Sequence, residues 1–267
     1  MLKVKEINVK SYITSSKLPG IDFVINPYVG CSHKCAYCYA EFMKRFTNHT
    51  EPWGEFLDVK RCDFRFSAEK YAGKKILLSS VTDAYNPFEK KYEITRRILE
   101  ALLPLGAKIR ILTKSDLVLR DMDLFQQFSS LQITFSMNSL DDSFRKIFEP
   151  YASPVAQRLQ ALRTLYDKGF ATAIFMSPIF PAISDFEALI HETRSFVDEF
   201  WFENLKLRNL YRQRILDLIT RHYPEHLPLY EKIYLEKNGA YWKTLEWKIE
   251  DFCLENGLRH EIYFSET

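Results

Sequence analysis

Six short apolar runs recur along the chain, each followed by a longer stretch in which apolar residues return at helical spacing. The runs are IDFVIN (21–26), KILLSSV (75–81), AKIRILT (107–113), LQITFSM (131–137), ATAIFMS (171–177) and VDEFWFE (197–203). Several are apolar almost throughout, the pattern of parallel strands covered on both faces, and the intervals between them accommodate crossover helices. EKKYEITRRILEALLP reads as one such helix, closed by Pro104 and Gly106. SPVAQRLQALRTLYDKG reads as another, with Ser153 as its cap, Pro154 in its first turn and Gly169 at its end. Six strands alternating with helices fit an open doubly wound sheet or a partial (β/α)6 barrel of TIM type. In both, the site lies where the strands end at their carboxyl side. Beyond about residue 205 the pattern becomes helical (NLYRQRILDLITRHY, HLPLYEKIYLEKN, AYWKTLEWKIEDFCLENG) before a last strand-like run, LRHEIYF. The expected organisation is a core over residues 1–205 and a C-terminal helical cap over 206–267, packed on it within one domain.

Composition narrows this little. A chain of 267 residues with 46% apolar and 27% charged residues is globular and of a size that one α/β barrel fills. No run approaches the roughly 18 apolar residues of a membrane span, and the N-terminal stretch lacks an export signal's apolar segment. The expectation is a cytoplasmic protein with no membrane partner. Lys plus Arg (37) nearly balances Asp plus Glu (35), so nucleic acid would have to be held by a local patch. KSDLVLRD, RLQALR and LRNLYRQR supply such candidates, densest at Arg208, Arg212 and Arg214, although the same spacing also describes an ordinary solvated face.

The chemistry concentrates in NPYVGCSHKCAYCYAEF, residues 26–42, which holds three of the five cysteines. Cys31, Cys35 and Cys38 follow the first strand run at spacing C-x3-C-x2-C, and a helix, AYCYAEFMKRF, is expected to begin inside the motif. Ser32, His33 and Lys34 make the loop too polar for three cysteines serving as small core residues. A closed zinc site needs a fourth ligand, with His33 or the more distant Cys62 as candidates, and would make this a non-catalytic metal-binding module. A 4Fe-4S cluster held by three thiolates instead leaves one iron open to bind a cofactor or substrate. Cys62 and Cys253 stand apart. The segment FTNHTEPWGEFLDVKRCDFRFSAEKYAGKK is long for a connection and is expected to fold over the site.

The cysteine motif at this place in a βα repeat resembles the radical S-adenosylmethionine (SAM) superfamily. NPYVGCSHKCAYCYA, SVTDAYNPFEKKYEITRRILEAL, ILTKSDLVLRD, DDSFRKIFEP and FMSPIFP resemble, in order, blocks of its spore photoproduct lyase-like branch. That resemblance implies a partial barrel and a 4Fe-4S cluster on Cys31, Cys35 and Cys38. It also implies SAM on the open iron, an electron donor such as flavodoxin or ferredoxin, and a 5′-deoxyadenosyl radical that abstracts hydrogen from a substrate. It assigns Lys114 to the SAM carboxylate, and Ser80, Thr82 and Asp83 to the SAM amino group or ribose. Ser136, Asn138 and Ser177 become candidates for ribose or substrate, with turn capping the alternative for these strand-end residues. Tyr37 and Tyr39 become candidates for stacking on adenine or for relaying a hydrogen atom. His33 is read as shielding the cluster. The lyase's hydrogen-donating cysteine near the end of the second strand has no counterpart in KILLSSVTDAYNP, which leaves the substrate open, a lyase-like reaction on nucleic acid being one candidate.

Overall fold

The computed structural model describes residues 2–64, 66–208 and 210–265. Its strands are β1 (Lys3–Asn8), β2 (Ile13–Ser15), β3 (Phe23–Ile25), β4 (Tyr28–Val29), β5 (Phe56–Arg61), β6 (Lys75–Leu78), β7 (Lys108–Thr113), β8 (Leu131–Ser136), β9 (Ala171–Ile179), β10 (Glu199–Asn204) and β11 (His260–Ile262). Eight form one sheet in the order β11-β10-β9-β8-β7-β6-β3-β2. All neighbours in it run parallel except β2 and β3, and the edges β2 and β11 do not pair, so the sheet is a barrel left open. The six apolar runs are the six consecutive parallel strands β3, β6, β7, β8, β9 and β10, as their patterning requires.

The helices behind the strands follow from their buried stripes. Ile94–Leu102 buries Ile94, Ile98, Leu99 and Leu102, and Val155–Asp167 buries Val155, Ala161, Leu162 and Leu165. Each buried Val, Ile or Leu among them contributes about 1.5–3 kcal/mol. Two expected boundaries differ. EKKYEITRRILEALLP is broken at Glu93, which adopts a φ of 48° between helices Glu89–Tyr92 and Ile94–Leu102. The buried Glu89 carboxylate accepts the N–H groups of Thr95 (3.0 Å) and Arg96 (3.4 Å), which caps the second helix from the preceding turn. Ser153 does not cap its helix; its hydroxyl donates to Asp116 (2.6 Å) and accepts the Asp116 N–H (3.1 Å). Gly169, at φ 80°, lies just past that helix in the left-handed region.

The C-terminal helices Arg212–His222, Leu227–Tyr234 and Ala240–Glu255 contribute Ile215, Ile219, Tyr230, Ile233, Ile249 and Cys253 to the same apolar core as the strands. β11 extends the sheet by pairing with β10. A second, three-stranded sheet, β1-β5-β4, is absent from the sequence expectation. Its central strand lies inside the long segment expected to cover the site. No helix among the described residues is long and apolar enough to cross a membrane.

Candidate functional site

The cysteine loop leaves β4 through Gly30, whose φ is 88° and where a Cβ would stand 2.4 Å from the Phe56 carbonyl oxygen. Only glycine lets the loop lie this close to β5. The loop is then clamped on its other side. Ala36 N–H donates to the Phe148 carbonyl (2.8 Å), Tyr151 N–H to the His33 carbonyl (3.4 Å), and Arg214 Nε to the Ala36 carbonyl (2.9 Å). After Cys38 the chain forms a 3-10 helix, Tyr39–Phe46, so the helix starts past the motif rather than inside it.

Cys31, Cys35 and Cys38 are free, partly buried thiols close enough to oppose one another's ionisation. Burial pushes Cys31 up to about 12, with Asp83 and Cys38 adding to the effect. Burial also lifts Cys35 well above the ordinary thiol range against the pull of the Lys114 ammonium. It lifts Cys38 against a hydrogen bond from Trp53. Such thiols become thiolates when a metal supplies the compensating charge. Among the described residues no three His, Cys, Asp or Glu side chains are arranged to hold a single metal ion. One tetrahedral zinc would need its sulfurs within about 4 Å of each other. A donor set of three neighbouring thiols on one loop fits a cluster, whose ligands are spread around a cubane.

The other strand-end residues surround this loop. Lys114, just past β7, points its ammonium over the Tyr37 ring (5.7 Å), and no side chain among the described residues forms an ion pair with it. Burial would lower its pKa, but the negative charge at Cys35 and Glu149 outweighs that and raises it. Asn138, only 1% exposed, donates from Nδ2 to the Tyr37 hydroxyl (2.8 Å) while its Oδ1 is buried with no partner among the described residues. An unpartnered acceptor and an ammonium without an ion-pair partner among the described residues thus both belong to neighbours of Tyr37, and a zwitterionic amino-acid group carries the complementary charges.

The remaining candidates differ in how free they are. Asp83 accepts from Tyr85 N–H, Thr113 Oγ1 and Lys114 N–H (each 2.8 Å), and its carboxylate lies 3.3 Å from His33 Nδ1. Burial would raise its pKa, but His33 and these bonds hold it at about 2. Its role in this structure is to tie the β6 loop, the β7 end and the cysteine loop together. Ser80 is held by Asn26 on both its hydroxyl and its N–H (2.9 Å each), and Thr82 donates to the Gly30 carbonyl (2.6 Å). Ser136 donates to the Ser177 carbonyl (3.4 Å), and Ser177 to Glu203 (2.5 Å). Tyr37 is buried with its hydroxyl donated to Glu149, whereas Tyr39 keeps 46% of its surface exposed and donates to the Ser80 carbonyl.

Several participants escaped the sequence reading. Glu149 pairs with Arg158 (2.5 Å), both about 1% exposed, and Arg158 also donates to the Ser153 (2.8 Å) and Ser136 (3.1 Å) carbonyls. RLQALR therefore begins with a buried structural arginine, not a phosphate contact. Arg120 of KSDLVLRD is likewise bound to Glu89 and Asp121, and Arg214 to Glu41 (2.6 Å). Arg208 remains exposed near Tyr39 and Tyr211, where its charge is felt. Asn26, Glu203 and Trp53 also join the site, and nothing in their spacing marks them. A cavity of about 420 Å³ between Asn8, Tyr12, Arg61 and Arg97 contains none of these residues.

Comparison with known proteins agrees with the chemistry. The family model described as the radical SAM superfamily matches residues 25–192, from the end of β3 through the helix Phe186–Thr193. The chain belongs to the radical SAM superfamily. An uncharacterized protein of Methanocaldococcus jannaschii is 39% identical to this radical SAM chain over 224 residues, 84% of this chain and 85% of that one. A protein of Pseudomonas phage M6 named a radical SAM Nalpha-GlyT isomerase is 26% identical over 172 residues, 62% of this chain and 35% of that one. A solved mutant of spore photoproduct lyase shares the fold with a TM-score of 0.67 at 17% identity, covering 97% of this chain and 82% of the lyase chain. Another lyase structure, with bound AdoMet and dinucleoside spore photoproduct, matches with a TM-score of 0.56 at 18% identity over 80% of this chain and 64% of its own. Members of the superfamily bind a 4Fe-4S cluster and SAM, and the three thiols, Lys114 and the free Asn138 Oδ1 suit both.

Proposed function

We propose that Cys31, Cys35 and Cys38 hold a 4Fe-4S cluster on which this radical SAM enzyme binds SAM, and that it abstracts a hydrogen atom from a nucleoside-containing substrate. When bound, the pair supplies a 5′-deoxyadenosyl radical by one-electron cleavage of SAM, a chemistry that belongs to the cofactor. The chain's own residues bind and shield. Lys114 takes the SAM carboxylate, Asn138 Oδ1 accepts from its amino group, and Ser136, Ser177 and Glu203 line the strand ends where ribose or substrate is held. The Tyr37–Glu149–Arg158 network keeps the cysteine loop rigid and the floor dry. The observation that carries the reading is the set of three neighbouring thiols on one loop, near an ammonium with no ion-pair partner among the described residues.

The nucleoside substrate rests on Tyr39 and Arg208. The half-exposed ring and the exposed guanidinium offer a stacking face and a phosphate contact at the mouth. The lyase that shares the fold has been solved with a dinucleoside bound, which favours the same class here. The lyase reaction itself is not carried over, because the loop after β6 has no cysteine to act as hydrogen donor.

Anaerobically reconstituted protein, given dithionite and SAM, should release 5′-deoxyadenosine. With deuterated oligonucleotides present, deuterium should appear in that product. Absence of SAM cleavage would overturn the cluster assignment, and cleavage with no deuterium from nucleic acid would overturn the substrate class.

A further inference from the structure

We infer that Trp53 sets the reduction potential of the cluster, through an indole N–H hydrogen bond to the sulfur of Cys38. This rests on the reading of the three thiols as cluster ligands. Trp53 Nε1 lies 3.3 Å from Cys38 Sγ, and the side chain is only 6% exposed. Indole N–H is a donor with no acceptor function, and the sulfur is its partner in the structure. A hydrogen bond to a ligand sulfur stabilises negative charge there. The reduced cluster carries one unit more negative charge than the oxidised one, so the bond favours reduction. The step it acts on is the addition of one electron from an external one-electron donor of the ferredoxin, flavodoxin or dithionite class. No bond forms or breaks, and the donor is oxidised by that electron.

The placement of Trp53 is built, not incidental. The 47–61 segment makes the unexpected sheet with β1 and β4, and it carries a small apolar cluster of its own: Ala40, Trp53 and Phe56, with Val29, Met43 and Val81 packed against it. Trp53 meets Phe56 edge-on (5.6 Å), and the Phe56 ring also stacks on the imidazole of His49 at 3.8 Å. His49 is itself buried between Asp58 (2.8 Å to Nε2) and Glu51 (3.0 Å to Nδ1). A ring fixed at both nitrogens holds Phe56, which holds Trp53 against Cys38. The same apolar cluster packs against Cys38.

Two effects of removing Trp53 therefore have opposite signs. Loss of the N–H moves the potential down, whereas water reaching the sulfur moves it up, because water would donate hydrogen bonds of its own. Trp53→Phe keeps most of the apolar cluster and deletes the donor. The test is an EPR-monitored redox titration of anaerobically reconstituted wild type and Trp53→Phe at matched iron content. The expected shift disfavours reduction about tenfold, which for one electron is about 59 mV toward negative potential. Exchangeable-proton coupling to the reduced cluster, compared in H2O and D2O, should weaken in the variant. An unchanged or more positive midpoint overturns the inference. If Trp53→Phe fails to take up iron, benzothienylalanine at position 53 replaces the N–H by sulfur in the same ring shape. A midpoint there equal to wild type likewise overturns it. Wild type that takes up no cluster at all sinks the cluster assignment itself, so the two failures are told apart by the wild-type arm.

Discussion

Replacing Glu149 by Gln removes one charge and almost no volume, and the geometry says the cost is large. Arg158 is buried with its guanidinium divided between the Glu149 carboxylate and the Ser153 and Ser136 carbonyls. The carbonyls remain in the variant but do not neutralise the charge. Leaving one partner of a buried pair uncompensated costs about 3–5 kcal/mol. For 267 residues, an unfolding entropy near 2.1 cal/mol/K per residue gives about 0.56 kcal/mol/K, so the apparent Tm should fall by about 5–9 °C. Tyr37→Phe removes the hydroxyl that donates to the same carboxylate and accepts from Asn138 Nδ2; losing the bond to the charged group should by itself cost about 1.5–3 kcal/mol. Because Phe148, next to Glu149, accepts the Ala36 N–H, Glu149→Gln should also loosen the cysteine loop and lower iron retention after reconstitution. Thermal unfolding by circular dichroism, with iron counted per chain, measures both. A Glu149→Gln protein that melts within 1 °C of wild type would refute the account of the buried pair.

Three further outcomes follow from single side chains. Lys114→Ala should retain the cluster but weaken SAM binding by about 1–3 kcal/mol, the loss of one charge-assisted hydrogen bond, seen by calorimetry on the reconstituted protein. Equal affinity would remove Lys114 from the SAM site. Gly30→Ala forces a Cβ onto the Phe56 carbonyl at a positive φ and should cost more than about 2 kcal/mol, with reduced iron uptake. An unchanged melting curve would contradict the close approach. Burial alone lowers the Lys60 ammonium to about 8. Between about pH 8 and about 10.4 the unfolded chain holds a proton there that the folded chain lacks, so stability rises with pH through that window. Lys60→Met should therefore be more stable than wild type by about 1–3 kcal/mol at pH 7 in urea unfolding. The advantage should vanish above about pH 10.4, and a gain independent of pH would point to packing instead of charge.

The fold was legible where local pattern and global arrangement coincide. Each of the six apolar runs forms a strand of one sheet and buries at least its alternate residues there, so its hydrophobicity says where it goes. C-x3-C-x2-C places three thiols on one loop whatever surrounds it, since eight residues cannot spread them far. The strand-end rule brought Lys114 and Asn138 to that loop for the same reason: parallel strands all end on one side.

What only the tertiary structure decided are the partners of charges and the meeting of distant segments. Arg158 sits in a helix and reads as solvated, because its burial depends on Glu149, on Ser136 at the end of β8 and on Ser153 all arriving at one point. Asp83 reads as a ligand group until its oxygens are seen to be taken by Tyr85, Thr113, Lys114 and His33. FLDVKR lies in a segment that reads only as a long connection, since β5 exists by pairing with β1, some 50 residues earlier, and with β4. Backbone hydrogen bonds between strands leave no local periodicity to read. The sequence by itself therefore determined the parallel core and the three thiols, which are local. Folding alone decided that Trp53 lies against Cys38, because a hydrogen bond across 15 residues is set by packing and not by spacing.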